Sequence, residues 1–187
     1  MFVEREIHFD LMELANVNHV VSESALQDLI KSLNFESILK YVQIPSYKLS
    51  IEPKGTNRSN QKRKEQQLVG KGDFQLIFSM LKQKGVKKII SISVDDVDSN
   101  PHSDEAIESL RSFNVEEWDW RRVDLCSSVI HTAAENARKI FLYSSGNNAV
   151  LRSWSAADGL NRFKKVRKSS SVSHSYETFA NPKHFHS

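Results

Sequence analysis

The chain has 187 residues, enough for one domain with a proper core and tails, and it reads as one domain. Its 26 basic residues nearly balance 23 acidic ones, so a formal charge of +3 gives no reason to expect a nucleic-acid partner. The single cysteine, Cys126, excludes an internal disulfide. With neither a secretory signal nor an apolar run of membrane-spanning length in the sequence, the expected location is cytoplasmic, with no membrane contact.

Residues 1–52 are expected to form a helical segment packed on the core. Met1–Val21 has no clean hydrophobic period, but Ser22 can cap a helix carrying Leu26, Leu29, Ile30 and Leu33 on one face, with Glu23 against its positive end. A second short helix is predicted over Phe35–Val42, stopping before Pro45. From Pro53 to Gly70 the chain turns polar and basic, as expected of a linker. Lys54, Arg58, Lys62, Arg63 and Lys64 have no aromatic residue between them to stack bases, so they read as a solvated charge run.

Residues 71–168 carry the α/β pattern. Phe74, Ile77, Phe78 and Leu81 recur at helical spacing behind a cap at Asp73, and Gly85 is a stop; Lys87–Val94 is a β-branched run of strand length. Pro101, Ser103, Asp104 and Glu105 suit the first turn of a helix with Ile107, Leu110 and Phe113 inward, ended by Asn114. A strand at Val115–Trp120 follows: Trp118, Asp119, Trp120, Arg121 and Arg122 could build an aromatic and cationic surface for a ligand or partner, whereas simple alternation turns Trp118 and Trp120 to the core and leaves Asp119 and the arginines solvated. Next come a helix with Leu125, Val129, Ile130, Ala133 and Ala137 inward, a strand at Lys139–Tyr143, a helix from Asn147 or Asn148 closed by Asp158-Gly159, and a last strand at Phe163–Arg167. The strand starts at Lys88, Val115, Lys139 and Phe163 lie 27, 24 and 24 residues apart, as in a β-α repeat. The predicted fold class is therefore α/β: a mostly parallel sheet with flanking helices, either three-layer and Rossmann-like or a short open β-α repeat. The three-layer form is preferred, because the units share a period but no residue pattern. Residues 169–187 are polar, rich in Ser and His, and expected to be disordered. Their His174, His184 and His186 lack Cys or carboxylate partners at ligand spacing.

Two turns are candidate sites. Asp95, Asp96, Asp98 and His102, with Asp104 and Glu105 nearby, crowd the exit of a parallel strand, the edge at which α/β proteins bind ligands. Carboxylates there could hold a magnesium ion for phosphoryl chemistry, but the same residues serve as turn formers and caps, and no phosphate-cradling glycine loop accompanies them. Ser145, Gly146, Asn147 and Asn148, behind Ser144, enter a helix whose free N–H groups could receive an anion, although the pattern is neither a Walker loop nor a dinucleotide fingerprint. No elbow presents a nucleophilic serine, and no cofactor is expected.

Residues 70–160 resemble a region of fungal intracellular subtilisin-like proteins that lies upstream of their protease domain. The resemblance is carried by GKGDF, KGVKKII with VDD behind it, PHSDEAIESL, VEEWDWRRVDLC and LYSSGNNAVLRSWSAADGL, and it extends to LKYVQIPSY at Leu39–Tyr47. Nothing in the sequence matches the family's Asp, His or Ser motifs, and His102 is not in a subtilisin-type histidine motif, so the resemblance supplies no catalytic residue. After RSWSAADGL the family-like region gives way to a basic, then Ser/His-rich stretch, as in a truncated or degenerate member. The resemblance thus implies a non-catalytic accessory or regulatory module, with a protease domain or another protein as partner. The competing expectation is a metal-dependent phosphoryl-transfer or phosphate-binding domain built on the acidic turn.

Overall fold

The computed structural model describes residues 5–11, 20–46, 48–50, 73–96, 101–166 and 168–173. In chain order its elements are β1 (His8–Asp10), β2 (Val20–Ser22), α1 (Glu23–Ser32), β3 (Ile38–Ile44), β4 (Lys48–Ser50), α2 (Asp73–Gln83), β5 (Lys88–Asp95) and α3 (Asp104–Glu108), which continues as a 3-10 helix over Ser109–Phe113. They are followed by β6 (Glu117–Val123), α4 (Ser127–Ala133), β7 (Lys139–Ser144), α5 (Asn148–Ser155), a 3-10 turn at Leu160–Arg162 and β8 (Lys168–Ser173). The fold is α/β, with a parallel sheet and flanking helices.

Several predicted stops and starts have visible causes. Ser22 accepts a hydrogen bond from Ala25 N at 3.1 Å, and Ser103 one from Ala106 N at 3.2 Å, each satisfying an amide that the helix leaves free. Gly85, at φ 89°, ends α2 in the left-handed region that favours glycine. At Gly159, after α5, a Cβ would collide with the carbonyls of Ser153 and Trp154, so a residue without one sits there.

Six strands form one sheet in the order β1-β3-β5-β6-β7-β8, and every adjacent pair is parallel; β2 and β4 pair separately. The order never reverses. With right-handed crossovers, a sheet that always grows in one direction receives its helices on one face. In keeping with this, α1 packs on α2, α2 on α3 and α3 on α4. Beneath them run two buried rows of side chains. Phe9, Val42, Ile92, Trp118 and Ile140 stand in register across five strands, and Ile44, Val94 and Trp120 across three. The helices supply Leu26, Ile30, Phe74, Ile77, Phe78, Leu81, Ile107 and Ile130 against these rows. Burial of such side chains, at about 1.5–3 kcal/mol each, is what holds the helical layer on the sheet.

Three expectations need correction. Among the described residues the preferred three-layer arrangement gives way to the open β-α repeat, because a period alone does not reveal whether strand order reverses. The N-terminal segment is not simply helical: α1 is flanked by strands, and the helix predicted over Phe35–Val42 is instead β3. Phe35, Ile38, Leu39 and Val42 do fit helical spacing, but the run is short and rich in β-branched and aromatic residues, and pairing with β5 decides it. The last strand lies at Lys168–Ser173, not Phe163–Arg167, and so enters the stretch expected to be disordered; Phe163 is buried ahead of it. The linker at 53–70 and residues 174–187 lie outside the described residues.

Candidate functional site

Parallel sheets are ordinarily covered on both faces and read as continuous apolar runs, whereas here β6 and β7 alternate buried and partly exposed residues, although β3 and β5 depart from this at Leu39 and Ile89, which are as buried as Val42 and Ile92. On β6, Trp118 and Trp120 point into the core, which leaves Glu117 and Asp119 on the side away from the helices. Their partners are on that side too. Asp119 accepts from Tyr143 Oη at 2.6 Å and from Ser93 Oγ at 3.3 Å, and its Oδ2 lies 3.6 Å from Arg121. Arg121 also pairs with Asp95 at 2.8 Å. Lower on the face, Glu117 lies 3.9 Å from Lys139; just before β6 and β7 begin, Glu116 joins Lys88 at 2.5 Å and Arg138 at 3.4 Å. Lys139 stands over the Phe141 ring at 4.7 Å, and Tyr41 donates to Gln43 at 2.9 Å. This face, left uncovered by the described helices, thus carries polar clusters around Asp119, at Glu117 with Lys139, and at Tyr41 with Gln43, and three aromatic rings are set among them.

The register of β6 shifts between Asp119 and Val123 relative to β7, an irregularity that re-aims side chains as a bulge does. Consecutive arginines are separated by it. Arg121 serves the uncovered face, while Arg122 donates to the carbonyl of His102 at 2.8 Å and pairs with Asp104 at 3.1 Å. The network also shifts proton affinities. Partial burial, together with donation to the Asp119 carboxylate, pushes the Tyr143 phenol up to about 12. Partial burial of Arg121 opposes its charge, but Asp95 and Asp119 outweigh this and strengthen its hold on the proton. The hydrogen bond from Lys88 and the charges around it hold Glu116 below the usual carboxylate range.

The acidic turn is not one cluster. Asp95 lies on the uncovered face against Arg121, whereas Asp96, the next residue, is buried on the helical side. There its carboxylate accepts from His102 Nδ1 at 2.9 Å, from the His102 amide at 3.1 Å and from Trp120 Nε1 at 3.0 Å. His102 is 4% exposed and stacks on Phe74, with ring centroids 3.5 Å apart. Burial raises the proton affinity of Asp96, but the hydrogen bond and charge of His102 outweigh it and hold the carboxyl below its ordinary range. This is an anchor for the β5–α3 connection, since both carboxylate oxygens are engaged by the protein's own donors. Asp98 lies outside the described residues. Among those described, no group of three His, Cys, Asp or Glu side chains could hold a metal ion.

The second predicted turn is also filled from within. Asp124 accepts from the Ser145 amide at 3.0 Å and from its hydroxyl at 2.5 Å, Ser144 Oγ accepts from the Gly146 amide at 3.0 Å, and Asn147 caps α5 through the Ala149 amide at 2.9 Å. Asn148 is the first residue of that helix. A protein carboxylate therefore holds the Ser145 end of this turn, and the Asn147 side chain takes the Ala149 amide at the helix end. Cys126 is exposed, and its hydrogen bond with Ser128 lowers its pKa.

Sequence reasoning did not assemble Ser93, Asp119, Arg121 and Tyr143, because it treated outward polar residues on each strand as solvent-facing one strand at a time. The signal was present as alternation in consecutive parallel strands. The chain matches no family model, no curated protein and no solved structure. Among the described residues no helix is long and apolar enough to cross a membrane.

Proposed function

We propose that the chain is a non-catalytic accessory module whose uncovered sheet face is a docking surface for another protein. The observation that carries this reading is a parallel sheet whose described helices lie on one side, and whose other side carries polar clusters that hold Tyr143 and Arg121 in place, with Tyr41 and Phe141 beside them. Aromatic and Arg side chains held in place by neighbours lose little entropy on binding, and they dominate protein interfaces. The resemblance of residues 70–160 to the region preceding fungal subtilisin-like protease domains supports such a domain as the partner. Phosphoryl transfer has no comparable support, since Asp95 and Asp96 are committed to different partners on opposite sides of the sheet.

Calorimetric titration with a recombinant fungal subtilisin-like protease domain tests the reading. Binding that is lost in Arg121→Ala, with the fold retained, is the expected result. Covalent labelling of any serine in the isolated chain by a fluorophosphonate, or a magnesium-dependent rise in melting temperature that vanishes in Asp95→Asn, would replace it with an enzymatic one.

A further inference from the structure

The charges on the uncovered face are sorted by strand. On β6 stand the acids Glu117 and Asp119, and on β7 the base Lys139 stands beside Glu117; Glu116 and Arg138 make a second acid–base pair just before the two strands. Above the charges, Arg121 belongs to the β6 side and Phe141 and Tyr143 to the β7 side. A two-fold axis in the plane of the face, running along the strands between β6 and β7, places the β6 column of each copy over the β7 column of the other. Glu117 then meets Lys139 twice, and Arg121 of each copy comes over the rings of Phe141 and Tyr143, an arrangement favourable to a cation on an aromatic face. Such an interface is isologous, as most homodimers are. This relation opposes acid to base at Glu117 and Lys139 and sets Asp119 over Phe141, the residue in register with it on β7. From this sorting we infer that a second copy of the chain is an occupant of the docking surface, forming a face-to-face dimer. The inference rests on the reading of the face as a docking surface.

The size of the face sets the strength. Four strands about 4.8 Å apart and about six residues long present roughly 400 Å² per copy, below the ~800 Å² per partner of a standard stable interface. The dimer is therefore weak, populated at high micromolar protein. It is also salt-sensitive, because exposed charge pairs are screened.

Sedimentation velocity on the full chain, over a concentration series at low and high salt, tests this. The expected result is a monomer–dimer equilibrium that Lys139→Glu weakens at least about tenfold and the exchange Glu117→Lys with Lys139→Glu restores, because swapping both members recreates every pairing with the signs reversed. Circular dichroism melts confirm that each variant is folded. A monomer at every concentration, or a dimer indifferent to Lys139→Glu, overturns the second-copy assignment. Hydrogen exchange on β6 and β7 amides in the presence of a subtilisin-like domain keeps the two readings apart. Protection there in a strictly monomeric chain leaves the docking surface standing and removes only the second copy.

Discussion

Asp95 and Asp96 are adjacent in the chain and lie on opposite faces of the sheet. Asp95 pairs with Arg121 in partial contact with solvent, whereas Asp96 is sealed against His102 and Trp120 under the helices. One peptide bond thus separates an adjustable surface charge from a fixed internal one.

Replacing each by alanine should separate these roles. Asp96→Ala leaves His102 Nδ1, the His102 amide and Trp120 Nε1 buried without their acceptor, and the expected loss is about 3–5 kcal/mol of unfolding free energy. Asp95→Ala removes a pair whose side chains are 32% and 45% exposed, and the expected loss is under about 1 kcal/mol. Urea unfolding of both variants checks this; similar losses would contradict the assignment of the two faces.

The two tryptophans of β6 offer a finer comparison. Both are fully buried and stacked on each other, but Trp120 Nε1 has a partner in Asp96 whereas Trp118 Nε1 has none. Substitution by phenylalanine removes similar volume at each site. Trp120→Phe also deprives a buried carboxylate of a donor, so it should be the more destabilising by about 1–3 kcal/mol, measured by the same unfolding experiment.

Acid should act through Asp96. Its folded-state pKa lies below the ordinary value of 3.8, so the folded state holds this proton less tightly than the unfolded chain does. The corresponding stability is present above the unfolded value and is lost as pH falls through the folded one. Stability should therefore decline below about pH 4. In Asp96→Asn the decline should be shallower although the variant starts from a lower value. An unchanged acid limb in that variant would assign the acid sensitivity elsewhere.

Alkali should act through Tyr143. Its phenol is raised to about 12 in the fold, so the stability it contributes is complete below the unfolded value near 10 and is lost as pH rises towards the folded one. A spectroscopic titration of tyrosinate should show one late step that Tyr143→Phe removes. Asp119→Ala, which takes away both the acceptor and the nearby charge, should move that step to lower pH.

The α/β class was legible because helices such as α2 and strands such as β5 are long, and their apolar periods differ. Phe35–Val42 was not, since four apolar residues at helical spacing also suit a strand, and the pairing of Leu39 with Ile89 that settles the matter is long-range. The acidic turn was legible as a cluster in sequence but not as a division in space, because the faces occupied by Asp95 and Asp96 depend on where β5 ends. Trp118 and Trp120 were read correctly as inward. For Asp119 and Arg121, between and after them, a binding surface and plain solvation stood as alternatives, and their actual partners were not legible, since Ser93 and Tyr143 come from strands 26 and 24 residues away from Asp119.

The unreversed strand order also governs how the chain can acquire its structure. From β5 to β8 each strand lies beside the one that precedes it in the chain, so each pairing closes a loop of little more than one helix, and closure entropy grows only slowly with loop length. The sheet can then extend from one end by adding one β-α unit at a time, each new edge templating the next strand during synthesis. A doubly wound sheet must instead leave a central edge open until a later strand returns to it. Here the growing edge is always the most recently made one.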